Sequence, residues 1–189
     1  EANYFLRKGL KDESLTTAVL LLKGNRQEIA LRSFNGKPLI KKQIEFFSQA
    51  GIDKVFLITQ NAKKELREEL RGTSVEIVES DPKGNAAALL ALKGRLNGNF
   101  LVMSGDTYNR FDILKMINKH ISLNKMITMG LITKEDAKLC GTAILDGDII
   151  VDFKEKLQTP LSHIVNAGVY IFKPEVLELI EGNSLEKDL

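Results

Sequence analysis

A glycine flanked by cations directly follows the first long apolar run of the chain. That run is Thr17 to Leu22 (TAVLLL), and Lys23-Gly24-Asn25-Arg26 comes immediately after it. A glycine lets the backbone approach a phosphate closely, and an arginine offers paired, charged donors. The pattern is therefore compatible with a phosphate-binding loop, although a plain basic turn is the simpler interpretation of these residues alone.

Two further segments of this kind follow later apolar runs. Asp106 ends the segment FLVMSGD, and a carboxylate at the end of a strand, in a crevice shared with a phosphate, is where Mg²⁺ is held in phosphoryl and nucleotidyl transfer. An aspartate in an ordinary turn is the alternative. The segment Asp81-Pro82-Lys83-Gly84-Asn85 opens a helical pattern, whose first N–H groups can receive an anion or the edge of a base. A Pro-Gly turn with Asn85 as the helix N-cap explains the same letters.

The last third of the chain carries a charged run and a conspicuous asparagine. In Phe153-Lys154-Glu155-Lys156 a lysine can pair with a sugar phosphate as a point charge, and Glu155 and Asn166 can hydrogen-bond sugar hydroxyls. A solvated strand edge is the alternative interpretation of the charged run. His120 and His163 have no neighbours at metal-ligand spacing, and we expect both to be structural or on the surface.

Alternating apolar runs and amphipathic stretches indicate the elements that position these residues. Four successive strand–helix–strand steps predict an α/β fold, a Rossmann-like, mostly parallel sheet with helices on both faces. Ligands bind at the carboxyl ends of the strands in such sheets, so the candidate residues should meet there. A β-rich second part predicts a small antiparallel elaboration, followed by a last helix at Pro174 to Ile180. The predicted strands and long helices are Thr17–Leu22, Pro38–Ala50, Lys54–Thr59, Ala62–Leu70, Val75–Val78, Asn85–Leu96, Phe100–Met103, Phe111–Leu123, Met126–Ile132, Thr142–Leu145, Ile149–Phe153 and Val169–Phe172.

Composition excludes several classes of protein. The 189 residues, 43% of them apolar and 28% charged, suit one soluble domain, and the net charge of +2 with both signs interspersed argues against a nucleic-acid partner. Membrane insertion is also unexpected, since a span needs about 18–20 apolar residues in a row. The single cysteine, Cys140, excludes an internal disulfide, and a charged start without a signal-peptide core points to the cytoplasm. Because the chain opens with Glu1 rather than Met, we also expect that it is a fragment.

Taken in order, these segments resemble the sugar-1-phosphate nucleotidylyltransferases, which include guanylyl- and thymidylyltransferases. The resemblance covers residues 16–189, and residues 1–15 are interpreted as an N-terminal extension without an assigned role. The segments similar to the family are Ala18–Arg26, Gly36–Ile40 (GKPLI), Pro82–Ala86 (PKGNA), Phe100–Asp106, Phe153–Lys156, Asn166–Phe172 (NAGVYIF) and Ser184–Leu189 (SLEKDL).

The resemblance implies an activity and a role for each candidate residue. A nucleoside triphosphate and a sugar-1-phosphate would be the partners, Mg²⁺ the cofactor, and a nucleotide sugar and pyrophosphate the products. Arg26, Asp106 and Lys156 would be catalytic, with Asp106 holding the metal. The nucleotide-binding residues would be Lys23, Gly24, Glu79, Gly84 and Asn85, and the sugar-phosphate pocket would consist of Gly141, Glu155, Lys156 and Asn166. Self-association through the β-rich part is also expected.

Glu79 gives one hint about the nucleotide. A carboxylate is an acceptor only, so it would suit the N–H groups of guanine, while thymidylyl and uridylyl transfer stay open. The sugar is not readable from the sequence.

Departures from the family pattern support a second hypothesis. The family loop Gly-Gly-x-Gly-Thr-Arg-Leu reads Leu22-Lys23-Gly24-Asn25-Arg26-Gln27 here, so at least one glycine is lost. A family lysine that faces the phosphates would fall near Ile29, in a segment that is shorter than usual, and the family's second metal aspartate would lie beyond Leu189. A catalytically weakened relative, acting as a regulatory or nucleotide-sugar-binding protein, is therefore the alternative to an enzyme.

Overall fold

A sheet of eight strands forms the framework of the protein in a computed structural model that describes residues 15–80 and 84–180. The strands along the chain are β1 (Thr17–Leu22), β2 (Ser33–Phe34), β3 (Lys37–Pro38), β4 (Lys54–Thr59), β5 (Val75–Glu79), β6 (Phe100–Ser104), β7 (Ile127–Thr133), β8 (Gly141–Asp146), β9 (Ile149–Glu155) and β10 (Ile164–Phe172). Their order in the large sheet is β5-β4-β1-β6-β10-β8-β9, with β7 also paired to β10, whereas β2 and β3 form a separate hairpin.

The first four strands of the large sheet are parallel, as the sequence predicted. β1 lies between β4 and β6, and β5 extends the sheet beyond β4. β10 then runs antiparallel to β6, and the β8–β9 hairpin continues from it. The expectation of a mostly parallel sheet with a small antiparallel elaboration is confirmed.

The place of β7 differs from a simple parallel series. β7 has the same direction as β6, yet its hydrogen-bonded neighbour is β10, which lies between the two and is antiparallel to both. The crossover from β6 to β7 therefore skips one strand position, which the chain fills when it returns as β10.

Helices cover the sheet between these strands. They are α1 (Gln27–Leu31), α2 (Leu39–Gln49), α3 (Lys64–Glu69), α4 (Asn85–Leu90) and α5 (Ile113–Leu123), with short 3₁₀ helices at Gly24–Arg26 and Pro174–Glu178. None of the helices in the described part of the chain is long and apolar enough to cross a membrane.

The predicted helices are shorter than their patterns suggested, and the difference is largest for the one expected over Asn85–Leu96. The helix expected to reach Leu96 ends at Leu90 and continues as turns, because Gly94 takes a left-handed conformation (φ +77°) that closes the segment. Leu92 and Leu96 are nevertheless buried, as their spacing predicted. The last helix, expected to reach Ile180, is a 3₁₀ helix that ends at Glu178.

The core lies on both faces of β1, which explains the unbroken apolar sequence of that strand. Ala18, Leu20 and Leu22 belong to one buried cluster, with Ile40 of α2, and Val19 points into another on the opposite face. A strand buried on both faces needs apolar residues at every position. Leu15, the one residue of the predicted extension that is described, packs in the first cluster.

Candidate functional site

A cavity of about 310 Å³ lies where β1 and β6 end, and it collects residues that are far apart in the sequence. Most of the residues predicted for the site line this cavity, namely Lys23, Arg26, Asn85, Asp106, Gly141, Glu155 and Asn166. β1 and β6 bring the first loop and the Asp106 turn together because they are parallel neighbours. β8, β9 and β10 supply the opposite wall.

Asp106 is the most enclosed charge in this cavity. Its side chain is 10% exposed, and Arg26 Nε lies 2.6 Å from its Oδ2 atom. The other oxygen, Oδ1, accepts hydrogen bonds from the hydroxyls of Ser104 and Thr107. The turn is joined to β1, since the Gly105 N–H donates to the carbonyl of Leu21 at 2.8 Å. Asp106 is therefore a fixed carboxylate that is already paired with a positive charge.

The first loop forms one turn of 3₁₀ helix and is held from behind by a buried glutamine. Gln27 Nε2 donates to the carbonyls of Gly24 (3.3 Å) and Asn61 (2.5 Å), and its Oε1 atom accepts from the Lys63 N–H at 2.9 Å. Gly24 packs closely, since a Cβ atom there would lie 3.3 Å from Gln60 Oε1. Arg26 is 49% exposed despite its bond to Asp106, so its guanidinium is accessible to a ligand.

The opposite wall depends on a close approach at Gly141. A Cβ atom at this position would lie 2.3 Å from Phe153 Cζ and 2.5 Å from Glu155 Oε2, so both side chains would have to move to admit it. Glu155 also forms an ion pair with Lys156, whose Nζ atom lies 2.9 Å from Glu155 Oε1. Lys156 lies at the end of β9 with positive φ (48°) and a largely exposed side chain, beside the cavity rather than in its lining.

Asn166 holds an irregular part of β10 together. The pairing of β10 with β7 shifts between Asn166 and Tyr170, and Gly168 within the shift has φ +70°. Asn166 Oδ1 accepts from the Gly168 N–H at 2.8 Å, and Nδ2 donates to the hydroxyl of Tyr170 at 2.6 Å. Both functional groups of this asparagine thus have protein partners, and Tyr170 is brought into the cavity lining with it.

Three predicted nucleotide-binding residues, Gly24, Glu79 and Gly84, lie outside the cavity lining. Glu79 ends β5, two strands from β1, and its carboxylate accepts from the Ala62 N–H (2.7 Å) and pairs with Arg67 (2.8 Å). The Ala62 hydrogen bond, followed by that from Arg67, lowers the pKa of Glu79. Gly84 precedes α4 in an extended conformation (φ 177°), and its neighbour Asn85 is the residue that reaches the cavity. Asp81, Pro82 and Lys83 of the same motif lie outside the described residues, as does the segment Ser184–Leu189.

The donor set suits a divalent cation that is shared with a substrate. Within residues 15–80 and 84–180, no cluster of three or more His, Cys, Asp or Glu side chains could hold a metal alone. Mg²⁺ is commonly held by one or two carboxylates together with substrate phosphates. Asp106 fits this requirement, because its enclosed carboxylate already attracts the cationic Arg26 side chain.

Several lining residues were not predicted. Ser104 and Thr107 flank Asp106, and Tyr170 lies four residues beyond Asn166, so a search for polar neighbours of the predicted residues would have found them. Leu139 and Cys140 also line the cavity, next to the predicted Gly141. The histidines are as expected: His163 is exposed, and His120 is buried against Thr128, with its pKa lowered by desolvation.

Two larger cavities border β7, and none of the predicted site residues lines them. They have volumes of about 810 and 860 Å³ and are lined mainly by β7, by α5 and, in one case, by β9. The charges that they share, Lys119 and Asp148, form an ion pair with each other. The smaller cavity at the end of β1 therefore remains the candidate site.

Comparison with known proteins agrees with this geometry. The model of the family described as "Nucleotidyl transferase" matches residues 25–188. The chain is 32% identical over 172 residues to mannose-1-phosphate guanylyltransferase catalytic subunit beta of Drosophila pseudoobscura pseudoobscura, a match that covers 84% of this chain and 46% of that protein. It is 30% identical over 164 residues to D-glycero-alpha-D-manno-heptose 1-phosphate guanylyltransferase of Aneurinibacillus thermoaerophilus, covering 82% and 70%.

A solved structure supports the fold. HddC from Yersinia pseudotuberculosis, complexed with GMP-PN, superposes with a TM-score of 0.73 at 20% identity, covering 93% of this chain and 85% of that chain. The chain spans about half the length of the first curated relatives it matches. The resemblance inferred from the sequence motifs is confirmed by the family match, and the chain belongs to the nucleotidyl transferase family.

Proposed function

We propose that the protein transfers a nucleotidyl group from a nucleoside triphosphate to a hexose-1-phosphate and releases pyrophosphate. The observation that carries this proposal is the single cavity in which Lys23, Arg26 and Asp106 face Glu155 and Asn166. Cations and a metal-binding carboxylate on one wall suit a triphosphate, and hydrogen-bonding groups on the other wall suit a sugar.

The triphosphate would be held by the first loop. Lys23 and Arg26 supply positive charge at the end of β1, and the Arg26 guanidinium is exposed enough to turn from Asp106 to a phosphate. Arginine binds phosphate through paired donors, so this exchange replaces one charge-assisted contact by another. Asn85, at the start of α4, offers an amide to the same ligand.

The sugar-1-phosphate would bind against β8, β9 and β10. Glu155 accepts hydrogen bonds from sugar hydroxyls, and Lys156 beside it provides a charge for the phosphate. Gly141 leaves the space in which Phe153 and Glu155 can approach β8. The Asn166 side chain already bonds to Gly168 and Tyr170, so we propose that it shapes this wall as well as contacting the sugar.

The reaction itself needs alignment more than covalent help from the protein. An oxygen of the sugar phosphate attacks the α-phosphorus, a new P–O bond forms, and the bond from the α-phosphorus to the oxygen that bridges to the β-phosphate breaks as pyrophosphate leaves. Holding both anions in one geometry and neutralising their charge supply most of the rate enhancement in such transfers. Mg²⁺, when held by Asp106 and the phosphates, would supply the charge that offsets the developing negative charge.

Guanosine triphosphate and mannose-1-phosphate are the first substrates that we propose, because relatives are named as guanylyltransferases of mannose-1-phosphate and of a manno-heptose 1-phosphate. A role for Glu79 in choosing guanine remains a hypothesis, and the ion pair of Glu79 with Arg67 gives it no support.

The test is a pyrophosphate-release assay with the common triphosphates and with mannose-1-phosphate and glucose-1-phosphate. We expect Mg²⁺-dependent release with at least one pair, and Asp106→Asn should reduce it by about a hundredfold or more, the cost of removing a transition-state charge stabiliser. Lys93→Gln, which removes an exposed charge paired with Glu178, is the control and should behave like the wild type. Absence of release for every pair would refute the proposal.

A regulatory or nucleotide-sugar-binding protein is the second candidate, and one observation favours it. Lys23 stands beside Gly24 where the family loop carries a further glycine, which restricts the approach of a phosphate to the backbone. This candidate predicts calorimetric binding of a guanosine diphosphate sugar without turnover. Normal turnover would dismiss it.

We also propose a cytoplasmic protein that self-associates through its β-rich part. β8 and β9 leave Ile144, Ile149 and Val151 substantially exposed, and exposed apolar residues on neighbouring strands mark interaction surfaces. Sedimentation of the wild type against Val151→Lys tests this: a fall in mass supports it, and a wild-type monomer overturns it.

A further inference from the structure

We propose that Gln43 is a positioning residue that holds the Asp106 turn in its metal-binding geometry. The proposal rests on the proposed function, in which Asp106 carries the metal. Gln43 lies on α2, outside the cavity, and only 3% of it is exposed. Neither the sequence motifs nor the cavity lining identifies it.

The side-chain amide of Gln43 hydrogen-bonds to the backbone on both sides of Asp106. Its Nε2 atom lies 2.9 Å from the carbonyl oxygen of Ser104 and 2.8 Å from that of Thr107, the residues before and after Gly105-Asp106. An amide has two N–H donors, and both are used on the two ends of one turn. The distance between these carbonyls is therefore fixed by a single rigid group.

The orientation of this amide follows from its surroundings. If its nitrogen and oxygen were exchanged, the oxygen would face two carbonyl oxygens, an arrangement without any donor. The nitrogen must therefore point to the turn. Together with the bond from Gly105 N–H to Leu21, which joins the turn to β1, Gln43 restrains the turn from a second direction.

The other half of the amide shows that stability alone does not account for a glutamine at this position. Gln43 Oε1 is buried and has no hydrogen-bond partner among residues 15–80 and 84–180. An unsatisfied buried acceptor opposes folding, and an apolar side chain would avoid this cost. The neighbouring buried residues of α2 are apolar, for example Ile40 and Phe47, so a polar residue at position 43 needs a reason. Holding the two carbonyls of the Asp106 turn is the reason that the structure offers.

The expected effect is on the metal more than on the fold. Replacing a residue that orients a metal ligand commonly weakens metal affinity by about 10- to 100-fold. Gln43→Met keeps the length of the side chain and removes both donors, and it also removes the unsatisfied oxygen. Losing the two hydrogen bonds lowers stability, and losing the unsatisfied oxygen offsets part of that cost, so we expect weakened metal binding with only a modest fall in the urea midpoint.

The experiment measures Mn²⁺ binding by electron paramagnetic resonance in the presence of GTP, together with the Mg²⁺ concentration that gives half-maximal pyrophosphate release. Gln43→Met should raise two constants, the Mn²⁺ dissociation constant and the half-maximal Mg²⁺ concentration, by about tenfold each. Gln43→Leu is the second variant, in case methionine does not pack. Ile44→Val, a small change on the next residue of α2, is the matched control and should leave both constants unchanged.

The outcomes separate this inference from the proposed function. If the wild type binds no Mn²⁺ and releases no pyrophosphate with any of the common triphosphates, the proposed function fails and this inference fails with it. If the wild type does both and the two Gln43 variants stay within about twofold of it, the function stands and the positioning role is wrong. An equal shift in Ile44→Val would also overturn it, because a loosened α2 would then be the cause.

Discussion

Replacing Arg26 should strengthen metal binding to the nucleotide-free protein, although it removes a residue that we propose to contact the triphosphate. Arg26 and the metal ion that we propose for Asp106 would compete for one carboxylate, since Arg26 Nε lies 2.6 Å from Asp106 Oδ2. Arg26→Gln keeps most of the side-chain length and removes the charge. In the absence of nucleotide, a metal would then reach Asp106 without displacing a guanidinium.

The size of the effect follows from the exposure of the two side chains. A hydrogen bond between charged groups contributes about 1.5–3 kcal/mol, and exposed ion pairs contribute less. Asp106 is 10% exposed, which favours a strong pair, but Arg26 is 49% exposed, so we take the low end of that range. About 1.5 kcal/mol corresponds to roughly a tenfold tighter metal dissociation constant.

Titration of Mn²⁺ without nucleotide, followed by electron paramagnetic resonance, measures this constant. Arg95→Gln is the control, because it removes an arginine paired with Glu76 outside the cavity. The same Arg26→Gln protein should lose pyrophosphate release by about a hundredfold, as expected for a phosphate-facing cation. Metal binding that is unchanged or weaker in Arg26→Gln would refute the competition between the guanidinium and the metal.

Three other results are expected. Gly141→Ala should raise the KM for the sugar phosphate by about tenfold and cost roughly 1–3 kcal/mol of stability, because its Cβ atom would lie 2.3 Å from Phe153 and 2.5 Å from Glu155; steady-state kinetics and urea unfolding measure both. Glu79→Gln should be less stable than the wild type at pH 7. That difference should shrink as the pH falls below 4.5 and vanish once the pH has passed through the lowered pKa of Glu79, because the hydrogen bond from the Ala62 N–H and the pairing with Arg67 favour the ionised carboxylate; a pH-independent difference would contradict this. Chelation with EDTA should stop pyrophosphate release reversibly, and full activity in EDTA would exclude a metal at the site.

The local sequence predicted the parallel half of the sheet because burial there leaves little choice. β1 has core on both faces, so every position from Thr17 to Leu22 must tolerate burial, and the apolar run records that requirement. The charged and glycine residues that follow such a strand necessarily lie at its carboxyl end. Lys23, Arg26 and Asp106 could therefore be placed together without any coordinates.

The other wall of the site depends on pairings between distant strands. Asn166 reaches the cavity because β10 lies between β6 and β7. The space for a side chain at Gly141 is limited because β9 pairs with β8 and places Glu155 opposite it. The sequence named these residues through a family resemblance, but it did not show that the Asn166 side chain bonds within its own strand.

Side-chain direction was the least predictable feature. Glu79 is the last residue of β5 and Asp106 lies two residues beyond β6, yet Glu79 turns to Arg67, and β5 lies two strands away from β1. Gln43 was unremarkable in the sequence, since its partners Ser104 and Thr107 are 61 and 64 residues away. The sequence by itself determined the strands and the residues that follow them, because those depend on local burial. The tertiary structure alone decided which side chains meet, because hydrogen bonds join atoms that only the folded chain brings within 3 Å.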